Sequence, residues 1–127
     1  MSEKTGKERR TDVDECLDEM RASAAAIERY IDGLSEERFT QEEMRQDAVV
    51  RRLEMIGEAA DRIMKADPEY AKNLPGIALV EAKRMRNFVI HGYDQVNISV
   101  VWHTARRDIP SLRAAIEKVL SSRRLKS

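Results

Sequence analysis

The chain has 127 residues, 42% hydrophobic and 36% charged, with no net charge, which is enough for one domain whose core needs neither disulfides nor metal. That balance excludes a disordered chain, and no apolar run approaches a membrane span. The neutrality is uneven: residues 1–80 hold 13 Lys/Arg against 19 Asp/Glu, a net of −6, and residues 81–127 hold 10 against 4, a net of +6.

A basic C-terminal third can meet phosphate or an acidic partner, or simply pair with the acidic helices inside the fold. The one cysteine, Cys16, cannot form an internal disulfide, and the N-terminus MSEKTGKERR has no apolar leader. A soluble, cytoplasmic protein is therefore expected. Ala, Leu, Glu, Arg and Met are plentiful and Gly and Pro are few, which favours helix over sheet.

In chain order, Val13, Cys16, Leu17, Met20, Ala24, Ile27, Ile31 and Leu34 recur at steps of three and four. They predict a first helix over 10–33 with one apolar face, on which Cys16 reads as a small core residue rather than a nucleophile. Ser35 can cap a short turn. Thr40 with Glu43 has the form of a capping box and opens a second helix over 41–65, carrying Met44, Ala48, Val49, Leu53, Ile56, Ala60, Ile63 and Met64. The methionines read as core fillers. Pro68 and Pro75 mark a loop.

A third helix is predicted over 76–91, with Gly92 at the position of a C′ glycine. Asn97 or Ser99 can start a fourth helix, whose apolar stripe from Ile98 to Val119 continues across Pro110. A kink there, or two helices meeting near Asp108, is expected. No strand pattern and no repeat appears. The expected fold is all-α: an antiparallel bundle of four long helices forming a single domain over 1–127, with 1–9 and 121–127 frayed.

The stretch RNFVIHGY, residues 86–93, gathers Arg86, Asn87, His91, Gly92 and Tyr93. Asn87 and His91 share a helical face, whereas Arg86 and His91 lie about 140° apart on an ideal helix. Arg offers a fork of donors suited to phosphate, His moves protons near neutrality, and Tyr adds a hydroxyl and a stacking face. With no carboxylate cluster at metal-ligand spacing, two histidines make a poor metal site. These groups suit metal-free phosphoryl chemistry on RNA. The plain structural reading is a helix end, where the macrodipole favours a histidine.

RNFVIHGY resembles the R-x4-H-x-Y signature of HepT-like toxins of the HEPN superfamily. The resemblance extends to QDAVVRRLEMIGEAADRI (46–63), MRNFVIHGYDQVN, VVWHTARRDIPSLRAAIEKVL (100–120) and IERYIDGLS (27–35), so it covers nearly the whole chain. It implies an all-α homodimer acting as a metal-independent endoribonuclease that needs no cofactor. Arg86 would stabilise the phosphate, His91 would transfer protons, and the two Arg/His pairs would meet across the dimer. It further implies a partner, a minimal nucleotidyltransferase antitoxin that moves AMP from ATP onto Tyr93. Two departures are visible: a Pro-Trp pair common before the third helix is absent from LPGIALVEAKRMRN, and Asn97 stands where relatives have Asp. The alternative is a non-catalytic HEPN module that binds a nucleotide or the partner without cutting.

Among the remaining polar residues, Asp47 and Glu58 are eleven apart on the second helix and could orient the Arg/His pair or contact the partner, or form an ordinary polar face or a structural ion pair. Gly57 is read as permitting close helix packing, and Trp102 as core or interface. His103, Arg106 and Arg107 extend a phosphate-tracking surface or a solvated face.

Overall fold

The computed structural model describes residues 3–91 and 97–126, with 87–91 and 124–126 as helical backbone. It contains α1 (Gly6–Ile31), α2 (Glu36–Thr40), α3 (Glu43–Ala66), α4 (Pro68–Ala71), α5 (Leu79–His91), α6 (Ile98–His103) and α7 (Ile109–Lys126). A π turn, Thr104–Asp108, joins α6 to α7. The described residues contain no strand, and none of their helices is long and apolar enough to cross a membrane. The fold is the expected all-α bundle, with α1, α3, α5 and the α6–α7 pair as its four long members.

The apolar stripes read from the sequence form the core. Val13, Leu17, Met20, Ala24 and Ile27 of α1 are fully buried, as are Val49, Ile56, Ala59, Ala60 and Ile63 of α3 and Ile116 of α7. Helix α3 packs between α1 and α5, and α1 packs in turn against α7. Burying the valine, leucine, isoleucine and methionine side chains among these stabilises the bundle by about 1.5–3 kcal/mol each, before the entropy of ordering the chain is subtracted. Cys16 lies in this core, and burial pushes its thiol pKa up. It behaves as a small apolar side chain and not as a nucleophile.

Local signals explain most of the helix boundaries. Helix α1 starts earlier than the apolar pattern implied, because Thr5 Oγ1 accepts a hydrogen bond from the Glu8 N–H at 3.1 Å. The T-x-x-E spacing of a capping box is therefore at Thr5–Glu8. Residues 6–9, expected to fray, are helical, and α7 runs to Lys126. Gly33, with φ of +74°, makes the turn out of α1 in a backbone region that glycine adopts without steric cost. Ser35 then caps α2 through the Arg38 N–H.

Thr40 does not cap α3. It is the last residue of α2, where its hydroxyl donates back to the Glu36 carbonyl. The N-cap of α3 is Glu42, which makes no side-chain cap. Instead, Gln46 Nε2 donates to the Phe39 and Thr40 carbonyls, satisfying acceptors that the end of α2 leaves open. Met44 is 86% exposed, against the expectation of a core filler. It is the second residue of α3 and precedes the part of the stripe that reaches the core. Met64 and Met85 do pack against the core. Part of the stretch expected to be loop is the one-turn helix α4, because Asp67 caps the Tyr70 N–H and Pro68 occupies the first turn, where a missing N–H costs nothing.

Asn97 caps α6 by accepting from the Ser99 and Val100 N–H groups at 2.9 and 3.4 Å, so an amide does there what an aspartate would do. The break expected near Asp108 takes the form of the π turn. The Ile109 N–H reaches back to the Thr104 carbonyl, which widens the helix just before Pro110. A proline there has no N–H to donate and its ring crowds the carbonyl four residues back, and one wider turn absorbs both effects.

Much of the charge asymmetry is resolved internally. Arg113 of α7 pairs with Glu28 of α1 and with Glu117, which holds its pKa well above the usual guanidinium value. Arg123 pairs with Asp14 and lies over the Tyr70 ring at 4.5 Å. Ser99 Oγ donates to Glu36 at 2.9 Å, and His103 Nε2 is 3.5 Å from the same carboxylate. Basic groups of the C-terminal third thus meet acidic groups of the N-terminal helices.

Candidate functional site

The site is organised around Arg86, in the last two turns of α5. Its position is fixed by a close approach of α3 and α5 at Gly57. A Cβ added to Gly57 would come 2.1 Å from Arg86 Cβ and 2.9 Å from the Ala82 carbonyl oxygen. Only a glycine lets the two backbones approach this closely, as the sequence suggested for Gly57. Arg86 therefore emerges directly over α3, with its side chain 30% exposed.

One turn further along α3, facing the same part of the antiparallel helix α5, is Asp61. Its side chain is only 12% exposed and meets three cations: Lys65 Nζ at 2.9 Å, Lys83 Nζ at 3.0 Å and Arg86 Nη1 at 3.9 Å. Hydrogen bonds from Lys65 and Lys83 hold the Asp61 carboxyl below the usual carboxylate range, because they stabilise its ionised form. Arg86 Nε is buried and has no hydrogen-bond partner among the described residues.

The sequence-predicted residues fare differently. Arg86 is brought into this cluster. His91 closes the helical backbone of α5, but its side chain and that of Asn87 lie outside the described residues, as do Gly92 and Tyr93 entirely. Glu58 is 44% exposed and 3.9 Å from Arg51, and Asp47 is exposed; neither is brought to Arg86 by a described contact. Trp102 is buried and packs its ring 5.4 Å from that of Phe39, tilted 41°, so it is core. His103, Arg106 and Arg107 are exposed.

Asp61 is the residue that sequence reasoning missed. Its only local signal is a carboxylate in the middle of an apolar run, Ala59-Ala60-Asp61-Arg62-Ile63, with Lys65 four residues on. A cavity of about 400 Å³ also opens between α5 and the π turn, lined by Ala78, Ala82, Met85, Thr104, Ile109 and Leu112. No polar periodicity in the sequence marked it. Chemically, the Arg86 cluster suits an anion: three cations surround one carboxylate, and the guanidinium is partly open to solvent.

Comparison with known proteins agrees with this chemistry. The family described as ribonuclease HepT-like matches residues 20–119. A probable ribonuclease HepT of Thermococcus cleftensis is 38% identical over 104 residues, covering 81% of this chain and 91% of that protein. A Methanocaldococcus jannaschii protein described as a gamma-glutamylcyclotransferase and putative RNase is 33% identical over 111 residues, covering 87% of this chain and 49% of its own length. A putative RNase of Caldanaerobacter subterraneus is 34% identical over 94 residues, covering 74% and 80%. No solved structure matches the chain.

Proposed function

Since the chain belongs to the HepT-like ribonuclease family, we propose that it is the endoribonuclease toxin of a toxin–antitoxin pair, cutting RNA with Arg86 and His91 and without a metal ion. The observation that carries this reading is Arg86 itself. It is held where two helices approach closely, partly exposed, with a buried Nε that has no acceptor among the described residues. Such a guanidinium is ready to take a phosphate.

In this reading His91 removes the proton from a ribose 2′-hydroxyl. The 2′-oxygen attacks the adjacent phosphorus while the bond to the 5′-oxygen breaks, and that oxygen leaves with a proton from a general acid. The products are a 2′,3′-cyclic phosphate and a free 5′-hydroxyl. Arg86 stabilises the charge that develops on the phosphoryl oxygens, the kind of preorganised electrostatic contribution that dominates such steps. Helical spacing separates Arg86 from His91 by about 140° within one copy. The second copy of a homodimer supplies the complementary group, so that one histidine acts as base and the other as acid. A minimal nucleotidyltransferase encoded alongside neutralises the enzyme by transferring AMP from ATP to Tyr93. The tethered phosphate then occupies the anion site that RNA requires. Asn87 and Gly92 support this arrangement from within the motif, and Asp47 and Glu58, which no described contact brings to Arg86, contact the partner.

The test uses purified, AMP-free protein and end-labelled RNA in the presence of a chelator. Wild type should cut and leave cyclic phosphate ends, and Arg86→Ala and His91→Ala should lose cleavage while keeping the helical circular dichroism spectrum. If wild type leaves every RNA intact, as His91→Ala does, yet still binds ATP or the partner enzyme, the chain is a binding module and the nuclease reading falls.

A further inference from the structure

Burying an ionised carboxylate is costly unless its partners offset the lost hydration. Asp61 is such a group, and it is placed beside the one arginine of the signature. We propose that Asp61 is a positioning residue for Arg86, orienting the guanidinium for phosphate. This inference rests on the ribonuclease reading above.

A guanidinium presents distinct edges. Two parallel hydrogen bonds can grip a phosphate either from Nε and one Nη or from the two Nη groups at the tip. Here Nη1 is the atom that faces Asp61, at 3.9 Å, and Nε is buried with no acceptor among the described residues, so the exposed part of the guanidinium is its Nη end. The carboxylate therefore acts on the arginine by charge at a separation too long for a hydrogen bond. It holds the guanidinium in one orientation without taking a hydrogen bond from its donors.

Asp61 is itself held. Lys65 and Lys83 take its two carboxylate oxygens at 2.9 and 3.0 Å, keeping it ionised and in place. Both lysines remain substantially exposed, so the cluster keeps a positive face toward solvent although it contains a carboxylate. Gly57 fixes the root of the Arg86 side chain and Asp61 fixes its tip, one turn apart on the same helix.

The experiment compares full-length wild type, Asp61→Asn and Arg86→Ala in steady-state cleavage of a labelled single-stranded RNA. Loss of orientation weakens an interaction made in the transition state, so Asp61→Asn should lower kcat by about 10- to 100-fold, with KM within about threefold of wild type. Arg86→Ala should be inactive. If Arg86→Ala is inactive but Asp61→Asn keeps the wild-type kcat, or changes only KM, the inference is overturned and the ribonuclease reading stands. If Arg86→Ala cleaves like wild type, both fail together.

A second measurement does not depend on the variant folding. In wild-type protein labelled with 15N, the Arg86 Nε–H should be slower to exchange and more ordered than that of exposed Arg84. Equal mobility of the two would overturn the inference.

Discussion

Replacing Gly57 by alanine tests the geometry on which Arg86 depends. The added Cβ would lie 2.1 Å from Arg86 Cβ and 2.9 Å from the Ala82 carbonyl oxygen, whereas carbon atoms in contact prefer about 3.5–4.0 Å. Both obstructing atoms are tied to the backbone of α5, so no rotamer change relieves the overlap, and the helices must separate by roughly 1.5 Å, the shortfall from that contact distance. Overpacking of this kind costs about 1–3 kcal/mol, and the lack of a flexible neighbour puts this site at the upper end. Removing a glycine from a helix interior returns about 1 kcal/mol. The net loss is then about 2 kcal/mol, or roughly 8 °C in Tm for a domain of this size. Arg86 moves with α5, and a displacement of about 1 Å at a reacting group lowers a rate by about 100-fold. Thermal and denaturant unfolding measure the first effect, and RNA cleavage by the folded variant measures the second. A Gly57→Ala protein as stable as wild type would refute the packing argument. A destabilised variant with wild-type cleavage per folded molecule would refute the link from Gly57 to Arg86.

Phe39→Ala removes a fully buried ring packed on Trp102; the expected loss is about 3–5 kcal/mol by denaturant unfolding, together with a shift in Trp102 emission. The Asp61 pKa is lowered in the folded state, so its contribution to stability is present above the ordinary carboxylate pKa and is lost as pH falls through the depressed value. The stability advantage of wild type over Asp61→Asn should therefore shrink on acidification through that window, and a difference independent of pH would count against the ionised cluster. On the proposed toxin–antitoxin reading, co-expression with a minimal nucleotidyltransferase partner should add one or more AMP units to the intact mass, and Tyr93→Phe should abolish the increase.

Much of the bundle was legible because helical periodicity is local. The stripe from Val13 to Ile31 and the one from Val49 to Ile63 mark faces that must leave water, whatever they meet. Caps at Ser35 and Asn97 are equally local, since a side chain reaches only two or three residues along its own backbone. Thr40 shows where such reading fails. Two adjacent helices competed for it, and α2 took it because Ser35 had already started a helical turn that ends at Thr40. Pro110 announced an irregularity, but whether it became a kink or a wider turn depended on the packing of Ala105 and Ile109 into the core.

The sequence by itself determined the helix types, the apolar faces, and the grouping of an arginine, a histidine and a tyrosine within eight residues. Only the tertiary structure decided that Gly57 lies against Arg86, that Asp61 lies beneath it with Lys65 and Lys83, and that Met44 faces water. The physical reason is register. Which polar group of α3 meets which of α5 is set by how two antiparallel helices slide and rotate until their buried surfaces fit, a condition that spans some twenty-five residues of chain and leaves no period in either helix alone.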